Sequence, residues 1–297
     1  MKERVNIRTE KKINVLAILT LAVLILYVIS LCIPLVWAFV TAFKSNLDYL
    51  ENPLWMPQKW FFKNILTAVN NFTVTVNKNG SMAPVYIEEM LLNSLLYALG
   101  GAFISTFTCT VTAYATARFD FKLSKVIYAI VIITMTLPIV GNLPSELQLL
   151  KSLGFYDHIW GLWICKANFL GLYYLVFHAL FKTMPKDFTE AAYMDGASNF
   201  RVLFSIAMPL VRGTFMTVML IKFIELWNDY TVTLTYMPTH PTLAYGLYAY
   251  SFSASQEISN TPMRLAGCIV LIIPILLVFV AFHKRLLGNI SMGGIKE

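Results

Sequence analysis

Charge is scarce in this 297-residue chain: Asp, Glu, Lys and Arg together make up 13% of it, about half the ~25% of an ordinary soluble domain. So thin a solvating surface excludes a conventional water-soluble globule. Disorder is excluded too, because 58% hydrophobic residues supply ample surface to bury. The charge that remains leans basic, 23 Lys and Arg against 16 Asp and Glu, a formal +7. At a mean hydropathy of +0.65 that excess argues for no nucleic-acid partner. Cysteine is sparse as well. Cys32, Cys109, Cys165 and Cys268 lie far apart in apolar runs with no Cys-x-x-Cys pair, so a disulfide framework is excluded. Missing also are Gly-x-x-x-x-Gly-Lys-Ser/Thr, His-Glu-x-x-His and Gly-x-Ser-x-Gly. The chain therefore reads as no enzyme, without an ATPase motif of its own. The histidines at 158, 178, 240 and 283 have no metal-ligand spacing, and no two glycines stand four apart to form a helix-dimer face.

What the chain does have is long uncharged runs. A helix needs ~20 apolar residues to cross ~30 Å of hydrocarbon, and six runs are read as spans, at about 13–43, 90–117, 126–145, 159–181, 210–227 and 265–282, the fourth broken only by Lys166 and the fifth weaker, carrying Lys222 and Glu225. The first is too long and too poorly flanked to be a cleaved signal. The expectation is an all-α membrane protein of six transmembrane helices spanning 13–285, with cytoplasmic tails at 1–12 and 286–297. Lys and Arg orient it. With the N-terminus inside, fifteen of the 23 fall in inside segments and six outside, while Lys166 and Lys222 lie within spans. Both termini are then cytoplasmic. The uncharged stretch 231–256 carries Pro238 and Pro241, and reads as an outer loop or re-entrant segment rather than a seventh span.

The inside loop between spans four and five, 186–209, has the most local grammar. Asp187-Phe-Thr-Glu190 fits a capping box, so a short helix is expected through Ala191, Ala192, Tyr193 and Met194. Gly196 supplies a left-handed stop. Ser198 is placed to cap a second helix, Asn199 to Met208, before Pro209 opens the next span. The product is a helix–Gly–helix elbow of small residues, either a docking element or a loop that only orients its flanking spans.

The run Glu190-Ala-Ala-Tyr-Met-Asp-Gly196 through Ile206-Ala-Met-Pro209 resembles the EAA loop of ABC importer permeases. It departs only at Met208, where Leu is usual, a volume-conserving change. The resemblance extends through Pro53-Leu-Trp-Met-Pro57, Asn93-Ser94-Leu95, Ala113-Tyr114-Ala115 and Trp227-Asn228-Asp229-Tyr230. Gly288 and Met292-Gly-Gly-Ile-Lys-Glu297 are similar to the tail of the six-span subunit in maltose-type importers, in the carbohydrate-uptake branch. The resemblance implies the type I ABC importer transmembrane domain in a bacterial inner (cytoplasmic) membrane. It implies a second permease subunit as a heterodimer partner, an ABC ATPase dimer beneath, and an extracytoplasmic solute-binding protein. ATP and Mg belong to the ATPase, and no cofactor is expected on this chain. Glu190, Ala191, Ala192, Asp195, Gly196 and Ala197 are the implied ATPase-coupling residues, with Gly293, Gly294 and Lys296 of the tail as further contacts. The implied cargo is a carbohydrate, of oligosaccharide size. Another solute class, or a self-sufficient secondary transporter, is the alternative.

Lys222 and Glu225 sit at i, i+3 within a span. They either pair with each other or mark the pathway or partner-permease face. The abundant aromatics fall mostly near span ends, where interfacial belts explain them, so no sugar-binding residue is assigned. Asn71-Phe-Thr73 and Asn79-Gly-Ser81 match the glycosylation pattern by chance.

Overall fold

A computed structural model describes residues 15–78, 80–137, 141–252 and 259–290. The chain starts with α1 (Val15–Ala42), which runs on through Pro34. Its most apolar 18-residue window, within Ile18–Ala42, has mean hydropathy 2.7 and is unburied, whereas Thr41 and Ala42 at the helix end are buried. Two short helices follow, α2 (Asn46–Glu51), capped by the Ser45 hydroxyl, and α3 (Lys63–Asn70).

Next comes a hairpin that amends the all-α expectation. Strand β1 (Val74–Lys78) pairs antiparallel with β2 (Ser81–Val85), Val74 opposite Val85 and Lys78 opposite Ser81. Val74 and Val76 are buried and alternate with exposed Thr75 and Asn77, the period-2 signature of a half-buried strand. Gly80 turns the chain at φ +87°. The Val-Thr-Val alternation running into Asn79-Gly80 is a hairpin signal legible in the sequence.

The spine is α4 (Ile87–Arg118), against which α12 (Arg212–Trp227), α8 (Leu172–Thr183) and α7 (Ile159–Lys166) all pack. Between them lie α5 (Lys122–Thr136) and α6 (Leu143–Ser152). Two expected continuous spans are thus broken. The run 126–145 stops at Leu137, whose extended backbone (ψ 121°) is what a following proline imposes. Pro144 starts a new helix instead. The run 159–181 is split into α7 and α8, where Gly171 takes φ +127°, a conformation that residues with a β-carbon resist.

After the elbow, described below, come α13 (Tyr230–Tyr236), α14 (Leu243–Ser251) and α15 (Thr261–Ile290). The stretch 231–252 is therefore two short helices folded into the core through Tyr236, Met237, Leu243 and Tyr250; residues 253–256 lie outside the described residues. Asp157 (φ +62°) ties the α6–α7 turn to this region, accepting from Thr239 N at 3.0 Å and Thr239 Oγ1 at 2.7 Å. Tyr236 donates its phenol to Glu146 Oε2 at 3.2 Å. Burial and that carboxylate push the phenol up to about 12, so it stays protonated as a donor.

By length and composition, two helices among the described residues are suited to cross a membrane, and a third if the bent pair Asn199–Leu210 and Arg212–Trp227 counts as one. The described cysteines are all free. Two hydrophobic clusters share α4. One gathers the hairpin, α13, α14 and the start of α15 around its N-terminal half, the other α5, α8 and the elbow's second arm around its C-terminal half.

Candidate functional site

The elbow begins with α9 (Asp187–Met194). Lys186 is already helical (φ −70°, ψ −28°), so helical geometry starts one residue early and Asp187 is the first helical residue rather than the cap. The expected capping box does not form. Asp187 and Glu190 instead place negative charge in the first turn, where the helix dipole favours it. Thr189 does the local work: its hydroxyl donates to Lys186 O at 2.8 Å.

The helix ends in a Schellman arrangement. Gly196 sits at φ +76°, its N–H donates to Tyr193 O at 3.0 Å, and Ala197 N–H donates to Ala192 O at 2.9 Å. Ser198 then caps α10 (Asn199–Val202), accepting from Arg201 N at 3.4 Å.

The second arm differs from a plain helix to Met208. It continues as a π-turn (Leu203–Ala207), where Met208 N–H reaches back to Leu203 O, and then α11 (Met208–Leu210). Pro209 has no N–H to give to the preceding turn, and the wider π-turn accommodates its ring. The change of direction, 78°, comes between Leu210 and Arg212, two residues after the proline.

Glu190, Ala191, Asp195 and Gly196 are exposed, while Ala192 and Ala197 are half-buried. Neither carboxylate enters an ion pair among the described residues. Beside them Met194 is 88% exposed and Phe200 76%. Both are large apolar side chains left bare on the one elbow. Gly293, Gly294 and Lys296 lie outside the described residues.

Arg118, one of the basic residues of the inside segments, also has a structural role. As the last residue of α4, it donates from Nη1 to Met184 O at 2.9 Å and from Nη2 to Thr189 Oγ1 at 2.8 Å. One guanidinium thus fastens the end of α8 and the first turn of α9 to the spine. Its partners lie 66 and 71 residues away in sequence, beyond any local pattern.

Lys222 and Glu225 pair with each other, Nζ to Oε2 at 2.8 Å, and the ammonium also stands 4.9 Å from the centre of the Tyr173 ring. They are brought together with Thr106 of α4 and with Lys166 and Asn168, at the α7–α8 break, around a cavity of about 270 Å³.

The architecture is that of an ABC importer permease. The fold matches a chain in the crystal structure of a bacterial ABC transporter involved in the import of the acidic polysaccharide alginate, with TM-score 0.73 and 20% identity, over 91% of this chain and 95% of that one. Residues 109–290 match the family of binding-protein-dependent transport system inner membrane components, and the chain belongs to that family. It is a transport permease subunit. Similar relatives include the diacetylchitobiose uptake system permease protein NgcG of Streptomyces coelicolor, 26% identical over 92% of this chain and 86% of the relative. Another is the sulfoquinovosyl glycerol transport system permease protein SmoH of Agrobacterium fabrum, 25% identical over 89% and 88%. A third, the melibiose/raffinose/stachyose import permease protein MelC of Bacillus subtilis, is 23% identical over 89% and 91%.

Proposed function

We propose that this chain forms half of the transmembrane pathway of an ATP-driven importer for an oligosaccharide, and that residues 186–209 couple it to the ATPase. The observation that carries the coupling is the elbow itself. It has a fixed turn at Gly196, uncovered Met194 and Phe200 beside Glu190 and Asp195, and a direct fastening to α4 through Arg118. Two short helices held this way transmit displacement to the spine better than a flexible loop would.

The carbohydrate assignment is supported by the cargoes named for the three relatives. The accompanying architecture is six spans with both termini cytoplasmic, in a bacterial inner membrane. A second permease, an ABC ATPase dimer and an external solute-binding protein complete the assembly, with ATP and Mg held by the ATPase. The excess of Lys and Arg on inside segments supports that orientation.

Gly196→Pro and Glu190→Lys test the coupling. Both variants are expected to insert in the membrane normally and to lose co-purification with the ATPase. Normal ATPase binding and uptake in both would sink the assignment. Uptake by this chain alone in liposomes, without ATP, would transfer it to the secondary transporters.

A further inference from the structure

The cavity at the α7–α8 break is lined by polar side chains, one of them buried without a hydrogen-bond partner among the described residues. Ser105 and Thr106 stand near the middle of α4, which places the cavity near the middle of the membrane. Thr106 is 1% exposed, and its hydroxyl, against this cavity, has no hydrogen-bond partner. Also on the cavity wall are the half-buried Ser105 hydroxyl and the exposed Asn168 amide, which make no side-chain hydrogen bond among the described residues. The half-buried Lys166 ammonium has neither a hydrogen bond nor an ion pair among them. Buried polar groups are satisfied in the great majority of folded proteins. An ionisable side chain inside a bilayer is costly and marks a pathway by default. The C-terminal end of α7 accounts for a cation at Lys166 through the helix dipole. It does not account for the buried Thr106 hydroxyl, left without a partner on the same cavity wall.

The charge balance of the cavity is specific. Glu225 is taken by Lys222, which is itself seated against Tyr173. The cavity is left with one unanswered positive charge, Lys166, and with hydroxyl and amide groups able both to donate and to accept. Its volume of about 270 Å³ is near the lower end of the ~300–1,000 Å³ usual for ligand pockets, the scale of one sugar ring. From this we infer that the cavity is a solute subsite for a single saccharide ring bearing a carboxylate, with Lys166 receiving the carboxylate and Ser105, Thr106 and Asn168 the ring hydroxyls. This rests on the permease reading above and narrows its cargo to acidic saccharides.

Galacturonate and galactose are suitable probes, because they differ only in oxidation at C6. Equilibrium binding of each radiolabelled sugar is measured on the assembled transporter, both permeases with the ATPase dimer, in lipid nanodiscs, with and without ATP. Saturable galacturonate binding at least tenfold tighter than galactose is expected. Lys166→Gln should abolish that preference and Lys166→Arg should keep it. Asn168→Ala should weaken both sugars alike, leaving the preference intact. Equal affinity for the two sugars, no saturable binding of either, or a preference that survives Lys166→Gln would overturn the subsite. So would loss of the second permease from the Lys166→Gln complex, which would make Lys166 an interface residue. Stimulation of ATP hydrolysis by the solute-binding protein is followed in the same preparations. Its persistence while sugar binding fails rejects the subsite and leaves the permease reading standing; absence of the ATPase from the wild-type complex rejects the permease reading instead.

Discussion

The two ends of α4 are built on different terms. At the N-terminal end, Asn93 Nδ2 donates to Pro241 O at 3.1 Å, and Ser94 Oγ donates to Met90 O while accepting from Leu243 N, both at 2.8 Å. Trp163 Nε1 donates to Leu96 O at 3.1 Å. These bonds close within the chain, over a core that includes Tyr97, Met90 and Leu243. At the C-terminal end the elbow's second arm packs against α4 through Leu203, Ala207 and Val211 and the Arg118 guanidinium holds its first arm, while the outer surface keeps Met194 and Phe200 uncovered. The first end is a scaffold completed by the fold. The second carries an uncovered surface, the proposed seat of the ATPase, which Arg118 links to the spine.

Breaking that link should have the largest effect. Arg118→Ala removes two charge-assisted hydrogen bonds, each worth ~1.5–3 kcal/mol, and loosens α9 from α4 while leaving the proposed docking surface in place. The ATPase should still co-purify, but stimulation of its turnover by loaded binding protein should fall at least tenfold, with basal hydrolysis unchanged. Arg118→Lys, a point charge able to reach one acceptor well but not both in a fork, should recover part of the stimulation. Full stimulation in Arg118→Ala would mean that the elbow acts on the spans by another route.

At the other end the same logic predicts a stability effect with no coupling effect. Ser94 is 1% exposed, and Ser94→Ala strands the Leu243 N–H in the core. Leaving a buried donor unmatched costs ~1–3 kcal/mol. Thermal unfolding of the purified complex should shift down accordingly, while ATPase stimulation per folded complex remains normal. A coupling defect in Ser94→Ala would erase the distinction between the two ends.

How far each end could be read in advance follows from the range of its interactions. The elbow is local: the left-handed glycine, the Ser198 cap and the small residues all act within a few positions, so Glu190 to Pro209 carries its own instructions. The departures from that grammar are local as well. Asp187 is the first helical residue because Lys186 already has helical geometry, and the bend falls after Pro209 because the π-turn absorbs the ring. The hairpin is written locally too, in the alternation of Val74, Thr75 and Val76 and in Asn79-Gly80, a short period-2 signal set among much longer apolar runs. The breaks in runs three and four show that absence of charge measures solubility in lipid but says nothing of helix continuity. Leu137 before Pro138 and Gly171 interrupt runs that hydropathy alone joins. The Arg118 fastening and the cavity at Lys166 are assembled from distant segments. No pattern along one strand of sequence specifies them.

The smallest expected effect on the fold is the sharpest test of the comparison. Met194 and Phe200 are among the most exposed apolar side chains of the chain, and exposed positions without special contacts change stability by no more than ~0.5 kcal/mol when substituted. Met194→Ser and Phe200→Ser should therefore leave the unfolding of the isolated permease unaltered. If the elbow's surface is completed by the ATPase, each truncation removes apolar area from that contact, where burial is worth ~25 cal/mol per Å². Affinity for the ATPase should then drop several-fold for each variant, and further for the pair. The measurement is an ATPase titration against permease in detergent or nanodiscs, run beside thermal unfolding of the permease alone. Unchanged affinity in the double variant would show that the uncovered side chains face lipid or solvent throughout. The C-terminal end of α4 would then be as self-contained as the N-terminal end.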